Sequence, residues 1–262
     1  MKIPRVTGIA RVWLVPALAG VLLSGCATHM PEPGAAGFAS SPWAVASSSV
    51  AEPAQWQHQE FPGKRPSEYR YARLDGRDAM MVRAASSASM LRQAVRVEPA
   101  DLSRLRFSWK VPALIESADL TVRELADSPV RVVLAFEGDR SSFSAKDAML
   151  SELAHALTGE PMPYATLMYV WCNKQEPGSV LMNPRTSRIR KLAMESGPRN
   201  LGRWMDYERD IRADFIKAFG EPPGALVAIG IMTDTDNTQS TTQAWYGPVR
   251  LLPVARAPAA TP

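Results

Sequence analysis

Cysteine and histidine are scarce in this chain: 262 residues hold two Cys and three His. So few soft ligands exclude a Cys/His zinc site, and two Cys cannot build a disulfide scaffold. Catalytic signatures are missing as well, since no G-x-S-x-G, H-E-x-x-H, P-loop or G-x-G-x-x-G occurs. His29, His58 and His155 have no evident partner. Glu137, Asp139, Asp127 and Asp234 qualify for a glycosidase pair by residue type alone. Acidic residues are absent from the first 25 positions, which carry Lys2, Arg5 and Arg11. Without those three, 27 basic groups face 26 acidic ones, so the formal charge of +4 belongs largely to the leader. Nucleic acid is therefore not an expected partner. A membrane-spanning run is lacking too. Residues 12–23 are apolar but interrupted by Pro16, too few to cross a hydrocarbon core of ~30 Å. What remains is 46% hydrophobic and 21% charged, enough for one well-buried core.

The N-terminus reads as an export signal. Lys2, Arg5 and Arg11 form a positive region, 12–23 (VWLVPALAGVLL) an apolar one, and the small Ser24 and Gly25 precede Cys26. Leu23-Ser24-Gly25-Cys26 resembles the lipobox of bacterial lipoproteins. The resemblance implies cleavage after residue 25 and a diacylglyceryl thioether on the Cys26 sulfur, a lipid anchor in the membrane. Ala27, rather than Asp, after the cysteine implies the outer membrane, on its periplasmic side. Residues 26–55, rich in Ala, Ser and Pro, are expected to be a flexible tether and 255–262 a disordered tail. Residues 56–254 are then one folded domain. Cys172, in the apolar run YATLMYVWC, is expected to be buried and inert.

Strand patterns dominate that domain. Residues 104–111 alternate strictly, with Leu105, Phe107, Trp109 and Val111 on one face and Arg104, Arg106, Ser108 and Lys110 on the other. Further candidates lie at 69–74, 79–84, 91–97, 130–136, 164–172, 178–182, 188–194, 226–232 and 243–251. The runs at 164–172 and 226–232 are apolar on both parities, as in strands covered on both faces. About ten short strands predict a mainly β chain, an antiparallel β-sandwich of jelly-roll type. Two accessory helices are expected. Ser144 and Asp147 form a capping box for one in which Met149, Leu150, Leu153 and Leu157 share a core-facing side. The other spans roughly 204–219, with Trp204, Tyr207, Ile211, Phe215 and Phe219 at helical spacing and Gly220 as its C-terminal cap.

Several blocks carry a family resemblance: SSASMLRQAV (86–95), RFSWKV (106–111), the approach to VVLAFEG from Asp127, YVW (169–171), the segment from Trp204 to MTDTDNT, and AWYGPVRL (244–251). They resemble a bacterial family catalogued as domain of unknown function 3047. The resemblance implies an envelope protein with a β-sandwich like those of carbohydrate-binding modules, and no known activity. Two positions depart from the pattern. Ala126 stands where an acid is expected before Asp127, and Pro248 where one is expected after Tyr246-Gly247.

The segment 234–238 (DTDNT) follows a buried strand and so lies at one end of the sandwich. Its carboxylates suit Ca²⁺, with Asp234 and Asp236 the candidate ligands, but Gln239 and Trp245 stand where an EF-hand needs Gly and Glu. An Asx-rich turn is the competing reading. Trp245 and Tyr246 neighbour this loop and face opposite ways, so at most one enters a given groove. Trp109 and Trp171 are expected in the core. The basic stretch 185–203 holds Arg185, Arg188, Arg190, Lys191, Arg199 and Arg203 against one acid, Glu195. It could be a patch for an envelope polyanion, but the favoured reading is a solvated strand face, since Arg188 and Arg190 share a parity. Together these features point to a non-catalytic, lipid-anchored module that binds a carbohydrate or envelope polymer. Its candidate ligand residues are Asp127, Asp234, Asp236, Asn237 and Trp245, and no cofactor is expected beyond a structural Ca²⁺. An envelope glycan hydrolase or lyase using the same carboxylates, and a structural lipoprotein without a small ligand, are the alternatives.

Overall fold

The computed structural model describes residues 39–47 and 55–253. Residues 1–25, expected to be an export segment, Cys26, most of the expected tether 26–55 and the tail 255–262 lie outside them. Strands are numbered along the chain. Alternation builds them as expected: in β5 (Arg104–Lys110), Leu105, Phe107 and Trp109 are buried while Arg104 and Arg106 are exposed. Ser108 is buried out of pattern because the Gly247 backbone lies against it. A Cβ at 247 would come within 2.1 Å of the Ser108 hydroxyl, so only glycine allows this approach.

The strands form two sheets. One has seven strands in the order β1 (Gln57–Glu60), β4 (Ala88–Val97), β11 (Leu226–Asp234), β6 (Ser128–Phe136), β7 (Ala165–Cys172), β9 (Ile189–Ser196) and β8 (Val180–Met182). The other runs β10 (Trp204–Asp210), β5, β12 (Thr241–Tyr246), β3 (Arg77–Ala85) and β2 (Glu68–Leu74), with the short β13 (Arg250–Leu251) also on β5. Their inner faces share one core, in which Phe107 of β5 stacks on Tyr169 of β7 with ring centroids 5.3 Å apart. The strands read as doubly covered, β7 and β11, both lie inside the seven-stranded sheet. Pairing is antiparallel except between β7 and β9. There the chain leaves β7, turns back along the edge as β8, and returns through the gap as β9. The mainly β sandwich is thus as expected.

Three expectations fail, each for a local reason. Residues 204–219 are not one helix. Trp204–Asp210 is strand β10, and only Ile211–Phe219 (α3) is helical. The segment 204–210 fits a period of two as well as of 3.6, and its partner decides. Glu208 meets Arg104 and Arg106 of β5 at 2.9 and 2.7 Å, while Tyr207 packs on Phe107 and Trp109. The Asp210 carboxylate then caps the helix by accepting from the Ala213 amide at 2.9 Å, and Gly220 closes it in the left-handed conformation.

The helix Ala145–Thr158 (α2) has its Ser144 cap, but Met149, Leu153 and Leu157 are exposed and do not face the core. Its buried residues are polar: Asp147 accepts from Thr186 and Ser187 on the loop between β8 and β9. The tether, finally, is docked where it is described. Helix α1 (Pro42–Ser47) buries Trp43 completely against Trp56, with ring centroids 4.8 Å apart. Ser47 accepts from the Val249 amide and the Ala46 carbonyl from Arg250. The folded unit therefore includes residues 39–47. Among the described residues no helix is long and apolar enough to cross a membrane.

Candidate functional site

β6 and β11 are antiparallel neighbours, so the start of one lies beside the end of the other, with Ser128 opposite Asp234. This register brings Asp127, Asp234 and Asp236 together, one carboxylate oxygen of each within 4.8 Å of the others. Each has a protein partner. Asp127, fully buried, accepts from the Thr238 amide and hydroxyl, both at 2.7 Å, and from the Asn237 amide at 3.3 Å. It ties down the loop much as an Asx turn does. Asn237 in turn donates to the Arg123 carbonyl at 2.9 Å. Asp236 pairs with Lys64 at 2.5 Å.

Asp234 accepts two bonds from the buried Arg131, at 2.8 and 2.9 Å, and a third from the Ser128 amide. Burial pushes the Asp234 carboxyl above the ordinary range, while the guanidinium pulls it back. Burial opposes the Arg131 charge in turn, but Asp234 more than offsets this and holds the guanidinium value up. The bidentate geometry requires the carboxylate form. Tyr246 braces the pair from the core: its hydroxyl accepts from the Arg131 amide at 3.1 Å and bonds Thr233 at 3.0 Å. A cation among these carboxylates would have to displace Arg131 and Lys64, so the donor set fits protein partners better than Ca²⁺.

Trp245 does not join the other candidates. It is half-buried between the fully buried Ala244 and Tyr246 and opposite Lys110 and Met81, which places it on the outer face of the six-stranded sheet. Trp204 lies on the same row, opposite Lys110, and its indole donates to Asp75. Trp109 and Trp171 are core residues, as expected. Arg188 and Arg190 do not form a solvated face. Arg188 sits 4.0 Å over the Tyr164 ring and bonds Glu221, and Arg190 lies over Phe219. Glu137 and Asp139 follow the far end of the nine-residue β6, a strand length of ~30 Å from Asp127, too far for a glycosidase pair. Glu137 is bound to Arg96 and Asp139 caps its own loop. His58 bonds Ser89, and burial lowers its pKa.

Beside Asp234 and Asp236 opens a cleft of about 300 Å³. It lies on the face of the seven-stranded sheet turned away from the second sheet, because Met168 and Met232 line it while their neighbours Leu167 and Ile231 are in the core. Phe61, Pro62, Ala88 and Pro184 add apolar surface, and Lys64, Arg123 and Arg185 add charge. One lining residue, a member of the basic stretch 185–203, has unusual chemistry because it is buried. Lys191 stands opposite Met168 on the cleft side of β9, is 1% exposed, and donates one bond, to the Leu120 carbonyl at 3.0 Å. Burial, with Arg131 nearby, lowers its ammonium from 10.5 to about 7, against the pull of Asp234 and Cys172. Cys172 is buried, its thiol pushed up to about 12, and so is inert. In the sequence Lys191 shares its parity with Ile189, Ala193 and Glu195, opposite the core-facing Leu192, so nothing local marks it as buried.

Residues 54–250 match the family model described as "Protein of unknown function (DUF3047)". No curated protein matches the chain. Among solved structures the chain is similar to the xyloglucanase domain of NopAA, a type three effector from Sinorhizobium fredii, in complex with cellobiose. That match has 10% identity and a TM-score of 0.41, and covers 76% of this chain and 93% of that one. The family 11 carbohydrate-binding module of the cellulase Lic26A-Cel5E of Clostridium thermocellum matches at 8% identity and TM-score 0.37, over 78% and 90% of the two chains. A cellulase derived from Cel12A of Rhodothermus marinus matches at 8% and 0.39, over 74% and 89%.

Proposed function

The chain belongs to the DUF3047 family, and from that premise we propose that it is a non-catalytic binding module for a carbohydrate or other cell-envelope polymer. The observation that carries this is the open cleft beside Asp234. Its floor of Met168, Met232 and Ala88 suits the C–H faces of a sugar, and polar and charged groups rim it, the mixture that ligand sites use. Asp127, Asp234 and Asp236 serve this site by holding its wall, since the 237–238 loop and Arg131 take the oxygens of Asp127 and Asp234 and Lys64 takes one oxygen of Asp236. A general acid or nucleophile needs a free oxygen at the substrate. Export and lipid anchoring at Cys26, in the outer membrane facing the periplasm, complete the proposal and rest on the lipobox residues alone.

A glycan array of envelope polysaccharides tests it, with wild type beside Met168→Trp, which fills the cleft from a half-exposed position. Saturable binding lost in the variant, with no product released, is the expected result. Binding that survives Met168→Trp would place the ligand elsewhere, and turnover would replace the module with an enzyme. For the anchor, Cys26→Ser is expected to leave the protein soluble, and continued membrane association would refute it.

A further inference from the structure

We propose that the cleft selects acidic saccharides, seating a carboxylate or phosphate substituent against the buried Lys191 ammonium. This rests on the carbohydrate-binding reading and adds the charge of the ligand to it.

Charge accounting in the cleft comes first. Of its five cations, Arg131 is matched by Asp234 and Lys64 by Asp236. Lys191 and Arg185 form no ion pair with a carboxylate of the cleft, and Arg123 pairs only with its exposed neighbour Glu124, at 4.0 Å. The unmatched charge is positive, and its deepest member is the least solvated.

Lys191 has three N–H donors and one bonded acceptor, a neutral carbonyl. It lies near Arg131, a second buried cation, so its surroundings oppose its charge from two directions. Holding the loop at Leu120 requires only a neutral donor. A charged donor beside an open cleft is instead suited to an anion entering from solvent, which would take up the remaining donors and restore the ammonium form. Charge-assisted bonds of this kind are short and strong. The apolar floor beside it accommodates the rest of a sugar ring, so the anionic group supplies orientation and the ring supplies contact area.

A pH signature follows from the groups facing the ammonium. These are Arg131 from β6, Asp234 from β11, Cys172 from β7, Arg185 from the loop before β9, and the Leu120 carbonyl. Lys191 is protonated below about pH 7 and neutral above it, so anion binding weakens as pH rises.

The test is calorimetric titration of the full chain with oligogalacturonate, its methyl ester, a phosphorylated mannan oligosaccharide and inorganic phosphate. At about pH 6 an acidic oligosaccharide is expected to bind about tenfold or more tightly than its neutral counterpart, the worth of one charge-assisted bond. The preference for acid over ester should largely vanish near pH 8.5 and in Lys191→Met. Comparison of galacturonate with phosphomannan distinguishes carboxylate from phosphate. If Lys191→Met does not fold, the wild-type pH profile and the exposed Arg185→Ala variant carry the test. Equal affinity for acid and ester overturns the anion proposal and leaves the carbohydrate reading standing. Absence of binding to every saccharide overturns both, and binding of phosphate alone overturns selection of a saccharide.

Discussion

Replacing Lys191 with Met should stabilise the protein at about pH 6.5 and lose that advantage by about pH 9. Burial lowers the Lys191 ammonium from 10.5 to about 7. At 1.36 kcal/mol per pH unit, that gap is worth on the order of 4–5 kcal/mol. Below about pH 7 the folded and unfolded chains both carry the charge, and the folded chain bears the full desolvation cost. Between about pH 7 and 10.5 the unfolded chain keeps a proton that the folded chain has released, so the wild type gains stability as pH rises. From pH 7 to 9 that gain is ~2–3 kcal/mol. Met fills a similar volume and has no proton to lose. It also leaves the Leu120 carbonyl without its donor, a loss of ~1–3 kcal/mol at every pH. The variant should therefore exceed the wild type by ~1–4 kcal/mol at pH 6.5 and fall to about parity at pH 9. Urea unfolding of both proteins at the two pH values measures this. A stability difference that does not change with pH would mean that Lys191 titrates as an ordinary lysine, and the account of its burial would be wrong.

Other perturbations separate structural from ligand roles. Asp234→Asn leaves the buried Arg131 charge without its counter-ion and should cost ~3–5 kcal/mol in denaturant unfolding, so loss of any activity in that variant must be read beside its stability. EDTA should leave the melting temperature unchanged, because Arg131, Lys64 and loop amides already occupy the carboxylates; a drop would establish a structural cation. Trp43→Ala should lose ~3–5 kcal/mol, whereas a residue in a flexible tether would lose nothing measurable. Leu153→Lys should stay within ~0.5 kcal/mol of wild type, and a larger loss would mean that α2 packs more closely than its exposed side chains show.

Much of the fold was legible because its signals are local. Strict alternation in 104–110, double-parity runs in β7 and β11, and the Ser144 and Gly220 caps each depend on neighbours a few residues away. The failures occurred where two local patterns fitted equally well. Trp204–Asp210 reads as helix or strand until β5 is beside it, and α2 reads as amphipathic although polar bonds from Asp147 hold it and its apolar side stays in water. Of the candidate ligand residues, the proximity of Asp234, Asp236 and Asn237 follows from their spacing, and that of Asp127 does not.

By itself, then, the sequence determined that the chain is a mainly β sandwich, and that a basic, apolar N-terminal segment ends in Leu23-Ser24-Gly25-Cys26. Those properties are carried by composition and short-range periodicity. Only the tertiary structure decided what the charged residues do. Arg131 meets Asp234 across 103 positions, Lys64 meets Asp236 across 172, and Lys191 donates a hydrogen bond to a carbonyl 71 residues away. The fold sets those meetings, and burial sets the strength of the Arg131 and Lys191 contacts. Neither quantity exists along the chain until the sheets have formed.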